Sequence, residues 1–253
     1  MNGIKCVAEY TVKEIVNEKV FLISTLFSFF LIGFVFFATK LTPLETPRVF
    51  FDLGRIAISG ALFFFVVYFA PLIVKNDHEN RIVYLFLSRP ISRWEYQLGR
   101  ILGFAFALLI FQIVISIAML VFMVVVGSNV HIGLLVYFGF NFIKFLTLGV
   151  LGLLIAQWLG FFSCMIIMVG VFILGVNVDY LYQIANADSN ASNLVLYYLS
   201  WFIPKFSIFS IASFATYGLP MPIHEFFGRL IYGILLFSIL SVGAVVSFWK
   251  KVL

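Results

Sequence analysis

Long apolar stretches separated by short polar ones set the pattern of this chain. Val20 to Ala38, Ile56 to Val74 and Ile101 to Val126 are three such stretches, and each can cross a bilayer as a helix, which takes about 20 apolar residues. From Ile132 to Val178 the chain is almost unbroken hydrophobe, too long for one helix. The turn-like Gln157-Trp158-Leu159-Gly160 divides it into a fourth and a fifth span. Leu230 to Trp249 is the last, which makes six predicted spans.

Three segments outside these spans carry information. Residues 2–19 predict an interfacial helix: Ile4, Val7, Ala8, Val12, Ile15 and Val16 recur at helical spacing, while Lys5, Glu9, Lys13 and Asn17 take the other face. Residues 75–100 form the most charged stretch of the chain. Residues 179–228 form a third segment whose middle, Leu194 to Thr216, is apolar but interrupted by Pro204-Lys205. Two short re-entrant or interfacial helices fit it better than a full span, and Tyr197, Tyr198 and Trp201 suit a boundary position.

Composition agrees with this layout. Of 253 residues, 63% are hydrophobic and 11% charged, against about 25% charged in a soluble domain. The fold expected is an all-α integral membrane protein, a single domain over residues 1–253. The charged lead before the first span is balanced in sign and long, which reads as a retained first span rather than a cleaved signal. Net charge of +5 reflects topology rather than nucleic-acid binding. With both termini on one side, that side holds Lys5, Lys13, Lys19, Lys75, Arg81, Arg89, Arg93, Arg100, Lys250 and Lys251. The other holds Lys40, Arg48, Arg55, Lys205 and Arg229. Ten against five places both termini in the cytoplasm.

Catalytic constellations are missing. His224-Glu225-Phe226-Phe227-Gly228 opens like the zinc-binding H-E-x-x-H helix but has Gly where the second ligand belongs. His78-Glu79 fails for the same reason, and no G-x-x-x-x-G-K-[ST] loop is present to hold ATP. Cys6 and Cys164 stand far apart and suggest neither a disulfide framework nor a metal site. No catalytic residue, metal or cofactor is assigned to this chain. Asn190-Ala191-Ser192 matches a glycosylation sequon, a short pattern that occurs often by chance.

One charge falls inside a span. Lys144 lies near the middle of the fourth, with Asn141 one turn earlier on the same face. A Lys at a helix centre costs about 2.5–3.5 kcal/mol on insertion scales, so it faces protein or a wet cavity. Two readings stand: Lys144 and Asn141 line a pathway or face an anion, or they make a structural contact between helices. Gln112 and Ser116 share a face of the third span and read as helix packing.

The charged stretch repays close reading. Lys75 to Arg81 is polar, Ile82 to Leu87 apolar, and Ser88-Arg89-Pro90-Ile91-Ser92-Arg93 turns the chain. Pro90 biases Arg89 away from the helical region. Ser92 can cap a helix restarting after it, with Glu95 three residues on as in a capping box. This is a compact element that presents Arg and Glu to a cytoplasmic partner.

Here the chain resembles the membrane subunits of ABC exporters of the ABC-2 type. Their pattern reads E-x-x-x-G-T-L-x-x-L-L-[ST]-x-P-[VIL]-[SG]-R-x-x-x-[LI]-x-G-K. Glu79, Leu85, Leu87, Ser88, Pro90, Ile91, Ser92, Arg93, Gly99 and Arg100 follow the same order. Ile82-Val83-Tyr84-Leu85 replaces the family's Gly-Thr-Leu, and Pro204 with Phe206 and Phe209 resembles the start of its outer hairpin.

The resemblance implies a half-transporter without its own motor, in a cell membrane, with the bacterial inner membrane as the expected setting. It would pair with a second permease copy, in contact with membrane lipids. ATP and Mg would sit on a separate ATP-binding subunit docked on residues 75–100. Glu79, Arg81, Arg89, Pro90 and Arg93 would carry the docking, with Tyr84 and Phe86 as apolar knobs. The alternative is a membrane scaffold, or a mechanotransmitting permease that works with a periplasmic partner and moves no cargo itself.

Overall fold

The computed structural model describes residues 2–40, 46–79, 92–127, 132–187, 203–211 and 222–251. Among these, all regular structure is helical. The helices are α1 (Asn2–Asn17), α2 (Lys19–Thr39), α3 (Thr46–Glu79), α4 (Arg93–Val126), α5 (Ile132–Ala156), α6 (Phe161–Val176), α7 (Val178–Ala187) and α8 (Ile223–Lys251), with a 3-10 turn at Phe206–Phe209.

α2, α3, α4, α5 and α8 are long and apolar enough to cross a membrane. α6 is apolar but has 16 residues, about 24 Å at 1.5 Å per residue, against a hydrocarbon core of about 30 Å. It ends at Asn177, whose side-chain amide donates to the Ile173 carbonyl at 2.8 Å, and α7 follows directly. The long apolar run divides at Gln157–Gly160, as the turn residues predicted.

The packing is of membrane type. On α2 the buried stripe is Ser24, Ser28, Ile32, Val35 and Thr39, whereas Phe30 and Phe37 point outward. A soluble helix would bury the phenylalanines. In lipid, helices gain by close contact through small residues, and bulky ones are at home outside. The hydroxyls of Ser24 and Ser28 donate to the carbonyls of Phe21 and Ser24, so the stripe leaves these donors satisfied within the helix.

At the centre, Phe65, Phe69, Phe104 and Phe111 are fully buried, and Phe65 stacks on Phe111 with ring centroids 4.5 Å apart. Gly149 makes room for the Phe104 ring: a Cβ there would come within 2.1 Å of it. α3 therefore lies in the core, with α2, α4, α5 and α6 against it.

α1 is helical and amphipathic as predicted, and its apolar face is covered by protein. Val7, Thr11 and Ile15 are buried, and α1 lies along the first turns of α4. Gly99 and Gly103, one turn apart, form its seat. A Cβ on Gly99 would stand 2.6 Å from Val7 Cβ, and one on Gly103 would stand 2.5 Å from Thr11 Cβ. Glu9 pairs with Lys5 at 3.9 Å on the exposed face.

Parts of the predicted re-entrant segment, residues 188–202 and 212–221, lie outside the described residues. These include the sequon and the three boundary aromatics. Between them, Pro204-Lys205 leads into the 3-10 turn, whose Phe206 and Phe209 are buried. The Lys205 amide donates to the Tyr232 hydroxyl at 2.9 Å, and Arg229 donates to the Ile208 carbonyl at 2.9 Å. The turn is thus held between α6 and α8.

Candidate functional site

Residues 80–91 lie outside the described residues, and with them Arg81, Tyr84, Phe86, Arg89 and Pro90 of the predicted docking set. The two flanks are well defined. Glu79 ends α3, exposed and paired with Lys75 at 3.8 Å. Arg93 opens α4, half-buried. The cap forms as predicted: the Ser92 amide donates to Glu95 Oε2 at 2.9 Å and its hydroxyl donates to the same oxygen at 2.8 Å.

Just inside these flanks lies a buried ionic cluster. Arg100 is 1% exposed and Asp77 7%. Arg100 projects from the second turn of α4 and spends each nitrogen on a different partner. Nε donates to Tyr96 Oη at 3.0 Å, and Nη1 donates to Glu14 Oε2 at 2.5 Å and Thr11 Oγ1 at 3.1 Å. Nη2 donates to Asp77 Oδ1. The Tyr96 hydroxyl in turn bonds Asp77, and Asn76 Nδ2 donates to the other oxygen of Glu14 at 2.9 Å.

The chemistry explains the choice of residues. A guanidinium offers five donors in a fixed fork, so one Arg can join two carboxylates, a hydroxyl and a phenol at once. Its faces are used as well, with Cζ 5.2 Å from the Tyr10 ring centroid and 5.5 Å from that of Tyr96. Burial, and then the Glu14 carboxylate, raise the Tyr10 hydroxyl above its ordinary pKa. Buried charges persist only when paired and hydrogen-bonded, because their desolvation is otherwise uncompensated.

The cluster ties three helices together. Glu14 comes from α1, Asp77 and Asn76 from α3, Tyr96 and Arg100 from α4. Asp77 precedes residues 80–91 and Arg100 follows them, so both ends of that segment are anchored to one rigid knot. Glu14, Asp77 and Arg100 are absent from the predicted site set. Asp77 counted only as a charge of a polar stretch and Arg100 as the end of the family pattern, and their pairing needs helices to be adjacent.

Lys144 and Asn141 sit elsewhere, where α5 faces α3 and α6. Asn141 is buried and accepts from Ser59 Oγ at 3.5 Å. Lys144 is half-buried, with Nζ 5.0 Å and 4.9 Å from the ring centroids of Phe145 and Phe172. Gln112 donates to the Phe138 carbonyl at 2.6 Å, a packing contact between α4 and α5.

Among the described residues no group of His, Cys, Asp and Glu could hold a metal ion. A comparison with curated proteins found no match. The model of the family described as ABC-2 type transporter matches residues 13–178, from α1 through the end of α6, a stretch that includes the Glu14–Arg100–Asp77 cluster, the 80–91 segment and Lys144. That match covers more than half of the chain, and the protein belongs to the ABC-2 type transporter family, as a multi-pass permease component of an ABC transporter.

Proposed function

We propose that this chain is the membrane half of an ATP-driven exporter, coupled through residues 75–100 to a separate ATP-binding subunit and paired with a second permease copy. The observation that carries the reading is the Glu14–Arg100–Asp77 clasp. A segment that receives force from a motor must be stiffly joined to the helices it moves. Here both flanks of residues 80–91 are locked to each other and to α1. Displacement of the segment then moves α3 and α4 as a unit.

In this reading both termini face the cytoplasm of a bacterial cell, consistent with the excess of Lys and Arg at that end. ATP and Mg belong to the partner, whose nucleotide cycle biases the paired permeases between inward and outward access. That bias requires contacts at 75–100 that differ between the two states. Glu79, Arg81, Arg89 and Arg93 supply the charge for docking, with Tyr84 and Phe86 as apolar anchors and Pro90 setting the bend. The outward faces of α2 and α8, rich in exposed Phe, Ile and Leu, are available to lipid and to the second copy.

The test is a mild-detergent pull-down from native membranes, with and without Arg89→Glu and Arg93→Glu together. The expected result is a stoichiometric Walker-motif ATPase that the charge reversal releases while the permease stays folded. Retention of the ATPase by the reversed variant would remove the docking assignment. Absence of any ATPase from the unaltered complex would remove the motor-coupled reading.

A further inference from the structure

A second polar cluster lies about 33 Å along α3 from the clasp, the rise of 22 helical residues between Arg55 and Asp77. Ser59 Oγ is 3.0 Å from Tyr137 Oη, and the Tyr137 hydroxyl is 3.3 Å from the Arg55 carbonyl oxygen. With Ser59 also donating to Asn141 Oδ1, these contacts lock α3 against α5. They leave the donors unused. Among the described residues Asn141 Nδ2 and Arg55 Nε, both buried, have no hydrogen-bond partner, and Asn141 is 3% exposed.

Lys144, one turn beyond Asn141, meets aromatic rings and, among the described residues, no carboxylate. Among the described residues no ion pair involves Arg55 or Lys144, although the charge of Arg55 is near enough to act on both Tyr137 and Lys144. Phe63 packs on Phe172 at 4.4 Å, so the same rings that flank Lys144 join α3 to α6. Arg55, Asn141 and Lys144, all donors, thus lie along the seam of α3 and α5 in an apolar setting, Arg55 one turn before Ser59 and Lys144 one turn beyond Asn141. Buried donors without acceptors are costly, and two like charges in low dielectric repel. A bound anion removes both penalties at once.

We propose that Arg55, Asn141 and Lys144 form a binding site within the membrane for the anionic head, a phosphate or carboxylate, of an amphiphile. The rings of Phe145 and Phe172 beside Lys144, on helices within the membrane, favour an amphiphile over a free ion, because a hydrated ion must shed its water to reach the bilayer interior. The site stands independently of the motor; only its use as a cargo site rests on the export reading.

The experiment is equilibrium binding to the purified protein, with its co-purifying subunits, in dodecyl maltoside. Labelled dodecyl phosphate is the probe, and inorganic phosphate and dodecyltrimethylammonium are competitors. Saturable binding is expected, displaced by neither competitor, and weakened by at least about tenfold in Lys144→Met and in Arg55→Gln, the loss of one hydrogen bond to a charged group. Lys144→Arg should restore it, which separates lost charge from lost fold. Competition by inorganic phosphate would support the anion site with a free ion as its ligand. No saturable binding, or equal binding by Lys144→Met and the unaltered protein, would overturn the proposal. Loss of the ATPase from the preparation with binding intact would count against the motor-coupled reading alone.

Discussion

Replacing Arg100 by Met removes one cation and keeps most of the volume. Glu14 and Asp77 then remain between α1, α3 and α4 without the charge that holds them. Breaking a buried ion pair by deleting one partner costs about 3–5 kcal/mol, because the surviving charge stays desolvated. An exposed pair makes the control: Lys5 and Glu9 are 3.9 Å apart with side chains 80% and 60% exposed, and such pairs contribute between about 0 and 1 kcal/mol. Arg100→Met should therefore lower thermal stability in detergent markedly, and Lys5→Ala hardly at all. Because the penalty lies in orphaned carboxylates, adding Asp77→Asn and Glu14→Gln to Arg100→Met should recover much of the loss. Thermal unfolding followed by size-exclusion retention reads all of these variants. Equal stability of Arg100→Met and Lys5→Ala would refute the clasp, and so would a triple variant less stable than the single.

Other consequences are more local. Gly103→Leu would drive a side chain into Thr11 and the Ala8 carbonyl, an overpacking that costs about 1–3 kcal/mol. It should lift α1 from α4, seen as faster proteolysis at Lys13 and Lys19. Gly175→Val would place Cβ 2.5 Å from the Phe206 ring and 2.6 Å from the Pro204 carbonyl. That should expose the Lys205 bond to trypsin while leaving α1 protected. Ser92→Ala with Glu95→Ala removes the cap of α4, at about 0.5–2 kcal/mol. The change should appear as faster amide exchange confined to the first turn after Arg93.

Much of the architecture was legible along the chain. Of the six predicted spans the apolar runs gave five helices long enough to cross and the shorter α6, the break at Gln157–Gly160 separated α5 from α6, and Ser92 with Glu95 marked the start of α4. Each of these rests on properties that act over one helix or one turn: the transfer of side chains to lipid, the satisfaction of free amides, the geometry of proline and glycine. The 3.6-residue pattern of residues 2–19 likewise showed α1 to be amphipathic. It did not show what covers the apolar face, because lipid and the Gly99–Gly103 groove of α4 both suit such a stripe.

The clasp and the second cluster belong to the tertiary structure. Glu14 and Arg100 are 86 positions apart and Asp77 and Arg100 are 23 apart, and no local rule joins them. A charge near a helix end looks the same in the sequence whether it snorkels to water or turns inward to a partner. Lys144 was visible as a cost at the middle of a span, but its aromatic surroundings, the nearby Arg55 and the orphaned amide of Asn141 came only with the packing of α3, α5 and α6. Hydropathy sums the transfer energies of single residues, and so it determined which segments enter the membrane. Ion pairs and hydrogen bonds are energies of pairs, and which pairs form was decided when the helices chose their neighbours.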